Sequence, residues 1–130
     1  METTKQPLIT VVMPNYNGHR FVEQAIDSVL NQTYPNFELL VVDDCSKDNS
    51  LQLIQQKAQS DDRIRVIALE HNAGVANARN VGIKEAKGEF IALLDNDDLW
   101  TEDKLERQLA LANKGADIVY CSYDFIDEQN

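Results

Sequence analysis

The chain has 130 residues, with 22 acidic against 12 basic side chains, a net charge of −10 and an apolar fraction of 43%. That length suits one domain with a buried core, and that apolar content excludes global disorder. The acidic surplus excludes a nonspecific grip on nucleic acid or an anionic membrane, which needs clustered Lys and Arg.

Short β-branched runs alternate with amphipathic stretches. Residues 8–13 predict a buried strand, ended by Pro14. Val22, Ile26 and Leu30, with Ala25 and Val29 beside them, predict one apolar helix face over 20–31. A turn at 33–36 leads to a second strand over 37–42. A second helix follows over 49–58, with Leu51, Ile54 and Ala58 inward, then a third strand over 64–69. A helix rich in small residues spans 74–86 and precedes a fourth strand over 90–94. Thr101 is the expected N-cap of a last helix, with Glu102 and Asp103 suiting its positive end and Lys114-Gly115 closing it. Residues 118–125 predict a fifth strand.

This order implies an α/β fold, a mainly parallel Rossmann-like sheet with helices on both faces, whose ligands bind at the carboxyl ends of the strands. No repeat, linker or low-complexity tract divides residues 1–130. Cys45 and Cys121 lack CxxC spacing, so a reducing cytoplasm is the expected setting. The first seven residues lack the apolar core of a signal peptide, and no apolar run is long enough to span a bilayer. Ending just after a predicted strand, the chain is expected to be truncated.

Two acidic clusters follow strands and would reach the same sheet edge: Asp43-Asp44, and Asp95-Asn96-Asp97-Asp98. A single Asp after a strand is commonly a turn or cap residue. Packed like charges are costly unless a cation or hydrogen-bond donors offset them. Such carboxylates suit Mg²⁺ or Mn²⁺, which share oxygen ligands with phosphates, and a divalent ion would let an acidic protein bind an acidic diphosphate.

The motifs Val11-Val12-Met13-Pro14-Asn15-Tyr16-Asn17 and Ser28-Val29-Leu30-Asn31-Gln32-Thr33-Tyr34 resemble the opening of family 2 glycosyltransferases. So do Leu40-Val41-Val42-Asp43-Asp44, Asn72-Ala73-Gly74-Val75-Ala76-Asn77-Ala78-Arg79 and Lys87-Gly88-Glu89, while Asp95-Asn96-Asp97-Asp98 fills the place of the family's DXD motif. The resemblance covers nearly the whole chain and implies a GT-A fold. It implies that Pro14 and Tyr16 flank a nucleobase, and that Asp44 accepts its N3–H. It also implies that Arg79 reaches the base or diphosphate, that Asp95 contacts ribose or metal, and that Asp97 binds the metal directly. Asp43 is expected to shape its loop. The implied chemistry is inverting, Mn²⁺- or Mg²⁺-dependent transfer of a sugar from a nucleoside-diphosphate sugar, UDP-linked in first preference. The acceptor would be a hydroxyl of a saccharide or lipid-linked molecule, at the inner face of the membrane. The family's general base lies well beyond the DXD motif, so the chain is expected to bind donor without full catalysis, and Asp124, Asp127 and Glu128 do not match the setting of that base.

Two alternatives share parts of this pattern. A signalling receiver domain also has an acidic pair after a strand, with Asp95 as phosphoacceptor, but here a whole strand and helix precede the pair. A sugar nucleotidyltransferase, like a Rossmann dehydrogenase, needs a glycine-rich loop after the first strand, where Asn15-Tyr16-Asn17-Gly18 offers one glycine.

Overall fold

The structure, a computed structural model, describes residues 6–113. The helix stop at Lys114-Gly115, the strand expected over 118–125, and Cys121, Asp124, Asp127 and Glu128 lie outside them. The elements run β1 (Ile9–Asn15), α1 (Val22–Leu30), β2 (Phe37–Asp43), α2 (Ser50–Ser60), β3 (Ile64–Ala68), α3 (Val75–Glu85), β4 (Phe90–Leu93) and α4 (Lys104–Asn113). The four strands form a parallel sheet in the order β3-β2-β1-β4.

β1 and β2 are covered on both faces, as their apolar residues at successive rather than alternating positions require, while Ile91 and Leu93 of the edge strand β4 are exposed. Val11, Met13, Leu39 and Val41 are fully buried with Ala25, Ile26 and Val29 of α1, Ile54 of α2 and Leu105 of α4. Leu40 and Val42 point the other way and pack on Ala78 of α3. On that face α3 lies close to the sheet at Gly82, where an added Cβ would come within 2.4 Å of Val12 Cγ1.

The sheet's amino end holds a buried acid. Glu38 Oε2 accepts from Thr10 Oγ1 at 2.6 Å and from Lys87 N at 2.9 Å, and Oε1 accepts from Arg65 Nε at 3.1 Å. Burial raises this carboxyl, yet the bonds from Thr10 and Lys87 and the Arg65 charge together hold it below its ordinary value. The Lys87-Gly88-Glu89 turn is thus a clamp on the sheet, far from the acidic edge.

Two local expectations need correction. Pro14 does not end β1, which continues to Asn15. Asn15 O accepts from Asp44 N on the β2 side and Val12 O from Leu94 N on the β4 side, so Pro14 faces the β4 side beyond the last paired residue of β4. No ladder bond needs its missing N–H there. Nor does Thr101 cap α4, which begins at Lys104. The orphan N–H of Leu105 donates instead to Gln32 Oε1 at 2.9 Å, while Gln32 Nε2 donates to Thr101 O at 2.7 Å. A side chain from the α1–β2 turn does the capping.

Candidate functional site

Parallel pairing brings the strand ends to one edge: Asn15 lies opposite Asp43, and β4 runs alongside β1 up to Val12 and Leu93. The chain steps from β1 to β2 on one side and returns to β4 on the other, making a crevice between the diverging connections. A cleft of about 390 Å³ opens there, and Pro14, Tyr16, Asp44, Arg79, Asp95 and Asp97 all line it. The order 3-2-1-4 is that of a Rossmann half, whereas a receiver domain places its first strand between the second and third.

Asp44 is 2% exposed and organises the cleft wall. Its Oδ1 accepts from Ala73 N at 2.9 Å and its Oδ2 from Gly74 N at 2.8 Å. Gly74, at φ 99 with open space where a Cβ would stand, is glycine for its backbone conformation. The clamp fixes the start of α3, which carries Ala78 and Arg79 into the cleft. Each carboxylate oxygen keeps a second lone pair. Tyr16, 44% exposed, offers its ring to the same opening.

Arg79 Nη2 donates to Asp95 Oδ1 at 2.7 Å across the cleft. Asp97 and Asp98 are exposed in the turn that follows. Partial desolvation and the neighbouring charges of Asp97 and Asp95 raise the Asp98 carboxyl, against the opposing charge of Lys104. Among the described residues no three His, Cys, Asp or Glu side chains converge as a metal cage. One or two carboxylates suffice for Mg²⁺ or Mn²⁺ when phosphate oxygens and water complete the shell.

Asn15, 1% exposed, is the residue missed by sequence reasoning. Its Nδ2 donates to Asp43 Oδ1 at 2.8 Å and Ser50 Oγ at 3.0 Å, while its Oδ1 accepts from Asn96 Nδ2 at 2.8 Å. Asp43 also accepts from Ser46 Oγ at 2.6 Å and Ser46 N at 3.0 Å, so it shapes the loop after β2. Asp48 extends the network, accepting from Ser50 Oγ at 2.5 Å and His19 N at 3.2 Å. Only the unusual amide at a strand end, flanked by Pro14 and Tyr16, hinted at this role.

The sequence model of glycosyl transferase family 2 matches residues 10–130. The chain belongs to this family. It is 45% identical over 107 residues to a putative teichuronic acid biosynthesis glycosyltransferase, TuaG, of Bacillus subtilis, covering 82% of this chain and 42% of that protein. It is 41% identical over 124 residues to WfgD of Escherichia coli, a UDP-Glc:alpha-D-GlcNAc-diphosphoundecaprenol beta-1,3-glucosyltransferase, covering 95% of this chain and 48% of that one. The chain thus spans less than half the length of these curated relatives. Among solved structures, residues 1–349 of S. aureus TarS in complex with UDP-GlcNAc superpose with a TM-score of 0.76 at 34% identity, over 82% of this chain and 31% of that TarS fragment. The mannosyltransferase PcManGT from Pyrobaculum calidifontis, in complex with GDP-Man and Mn²⁺, gives 0.76 at 29% identity, over 82% of this chain and 32% of that protein. This family 2 member therefore has the GT-A fold that its motifs imply, and neither the receiver nor the nucleotidyltransferase reading survives.

Proposed function

We propose that this chain provides the donor site of an inverting, metal-dependent glycosyltransferase that uses a UDP-linked sugar to extend a saccharide or lipid-linked acceptor. The observation that carries the reading is the single cleft into which four strand-end or helix segments deliver Tyr16, Asp44, Arg79, Asp95 and Asp97. UDP-GlcNAc in TarS and the lipid diphosphate in the name of WfgD support the substrate classes. No described helix is long and apolar enough to cross a membrane; a lipid-linked acceptor would place the work at the inner face of the membrane.

In this reading the base lies against Pro14 and Tyr16, and the free lone pairs of Asp44 accept its N3–H. Arg79 meets the diphosphate, and Asp95 holds Arg79 in place. Asp97 would hold Mn²⁺ or Mg²⁺, an assignment supported by its exposure and by the crowding of three carboxylates in four residues. Such an ion, when bound, stabilises the charge on the departing diphosphate. Among the described residues every carboxylate lining the cleft already has a task, Asp44, Asp95 and Asp97 alike, so donor binding is the activity these residues support. Calorimetric titration with UDP, with and without Mn²⁺, tests the reading. Parental protein should bind UDP more tightly with Mn²⁺, and Asp97→Ala should lose that gain while melting normally. Equal Mn²⁺ dependence in both proteins would remove Asp97 from the metal.

A further inference from the structure

We infer that Asn15 and Asn96 form a positioning pair: their side-chain hydrogen bond, roofed by Gly18, holds the acidic turn after β4 where Asp97 can reach a metal and Asp95 can reach Arg79. The inference rests on the donor-site reading above and assigns the device that shapes it.

Beyond Leu94 the turn has left the sheet, with Leu94 N to Val12 O the final ladder bond at 3.0 Å. Its own closing bond, Asp98 N to Asp95 O at 3.1 Å, stays within the turn. Among the described residues, two side-chain hydrogen bonds tether it to other elements: Arg79 to Asp95 from α3, and Asn96 to Asn15 from β1. Asp95 is 48% exposed at its side chain, so the first tether is open to solvent screening. The second ends on a buried amide.

The orientation of that amide is determined. Asn15 Nδ2 has two hydrogens, and Asp43 Oδ1 and Ser50 Oγ lie nearest them on the β2 side. A carboxylate oxygen accepts, so the carbonyl of Asn15 must face the other way, toward the Nδ2 of Asn96. Gly18 lies directly on the bond: a Cβ there would stand 2.3 Å from Asn96 Nδ2 and 2.4 Å from Asn15 Oδ1. The Gly18 backbone cannot retreat cheaply, because its carbonyl accepts from Phe21 N at 3.1 Å and Val22 N at 2.9 Å at the start of α1. Three segments meet at one hydrogen bond, and a turn carrying three mutually repelling carboxylates hangs from it.

The test compares parental protein with Asn96→Ala, Asn96→Asp and Gly18→Ala, with Asp97→Ala in parallel. The readouts are UDP affinity with and without Mn²⁺, uridine affinity, and melting temperature. Each of the first three variants should lose about tenfold of the Mn²⁺ enhancement, as loss of an outer-shell partner does, with uridine binding near parental and a single cooperative melting transition lowered by a few degrees. Asn96→Asp is the discriminating case. It adds negative charge beside the metal, which on charge alone strengthens binding, but it removes the donor that Asn15 needs. Parental Mn²⁺ enhancement in Asn96→Ala and Asn96→Asp, with Asp97→Ala losing it, overturns the positioning pair and leaves the donor site standing. Retained enhancement in Asp97→Ala removes Asp97 from the metal and overturns the positioning pair with it, while absence of UDP binding in the parental protein would overturn the donor site.

Discussion

Arg79 and Asp95 close a 2.7 Å ion pair across the cleft, joining the second turn of α3 to the end of β4. Both side chains are more than a third open to solvent, at 36% and 48%. Such a pair contributes little to stability, about 0–1 kcal/mol. What it does is aim a guanidinium fork over the cleft.

Arg79→Ala should therefore leave the melting temperature within a few degrees of parental and still weaken UDP binding, by roughly tenfold or more for a lost charge-assisted contact. Arg79→Lys should recover only part, since an ammonium cannot hold Asp95 and a phosphate in the same planar fork. Calorimetric titration beside thermal melting separates the two effects. Unchanged UDP affinity in Arg79→Ala would place the arginine outside the donor site.

Asp44 should make the site prefer UDP over CDP. Uracil presents N3–H to a carboxylate, whereas cytosine presents a bare lone pair. With cytosine a buried acceptor is left unsatisfied at a cost of about 1–3 kcal/mol. Competition between UDP and CDP measures this in parental protein, which matters because replacing Asp44 would also free Ala73 N and Gly74 N. Equal affinity for the two nucleotides would assign Asp44 to the loop alone.

Acid should weaken the β1–α1 and β2–α2 connections together through Asp48. Burial raises this carboxyl, but hydrogen bonds from Ser50 and His19 outweigh it and lower the value from 3.8 to about 2. A group depressed on folding contributes stability above its unfolded value and loses it as pH falls through the folded one. The contribution is therefore present above about pH 4, gone below about pH 2, and worth at most about 2 kcal/mol. Urea unfolding at pH 5 and pH 2 should show a smaller acid loss in Asp48→Asn than in parental protein. Identical losses would deny Asp48 this role.

Gly82→Ala should destabilise the fold although alanine is the better helix former. The propensity gain is about 1 kcal/mol, while a Cβ 2.4 Å from Val12 Cγ1 overpacks a buried contact at about 1–3 kcal/mol. Val12→Ala in the same chain should relieve the clash. Chemical denaturation of the single and double variants measures the coupling, and additive losses would mean that α3 shifts freely on the sheet.

The sequence by itself determined the kinds of element, their order and which polar residues stand at the strand ends. Apolar periodicity and flanking turn residues are local signals, and they predicted β1 through α4 with shifts of a few residues at the ends. The motif residues Pro14, Tyr16, Asp44, Arg79, Asp95 and Asp97 were legible for the same reason: each stands in a short, recognisable stretch. Tertiary structure alone decided who partners whom. Gln32 caps α4 from 73 residues away, and Asn15 reaches Asn96 across 81. Those distances collapse only when β1 settles between β2 and β4, and nothing in the local pattern of Thr101 or Asn15 encodes that neighbour. The same holds for Gly18, whose missing side chain matters because an amide pair formed elsewhere in the chain comes to lie against it. Hydrophobic burial can be satisfied by many apolar neighbours, so it writes a broad pattern into sequence. A buried hydrogen bond needs one donor facing one acceptor within about 3 Å, and only the assembled sheet provides that.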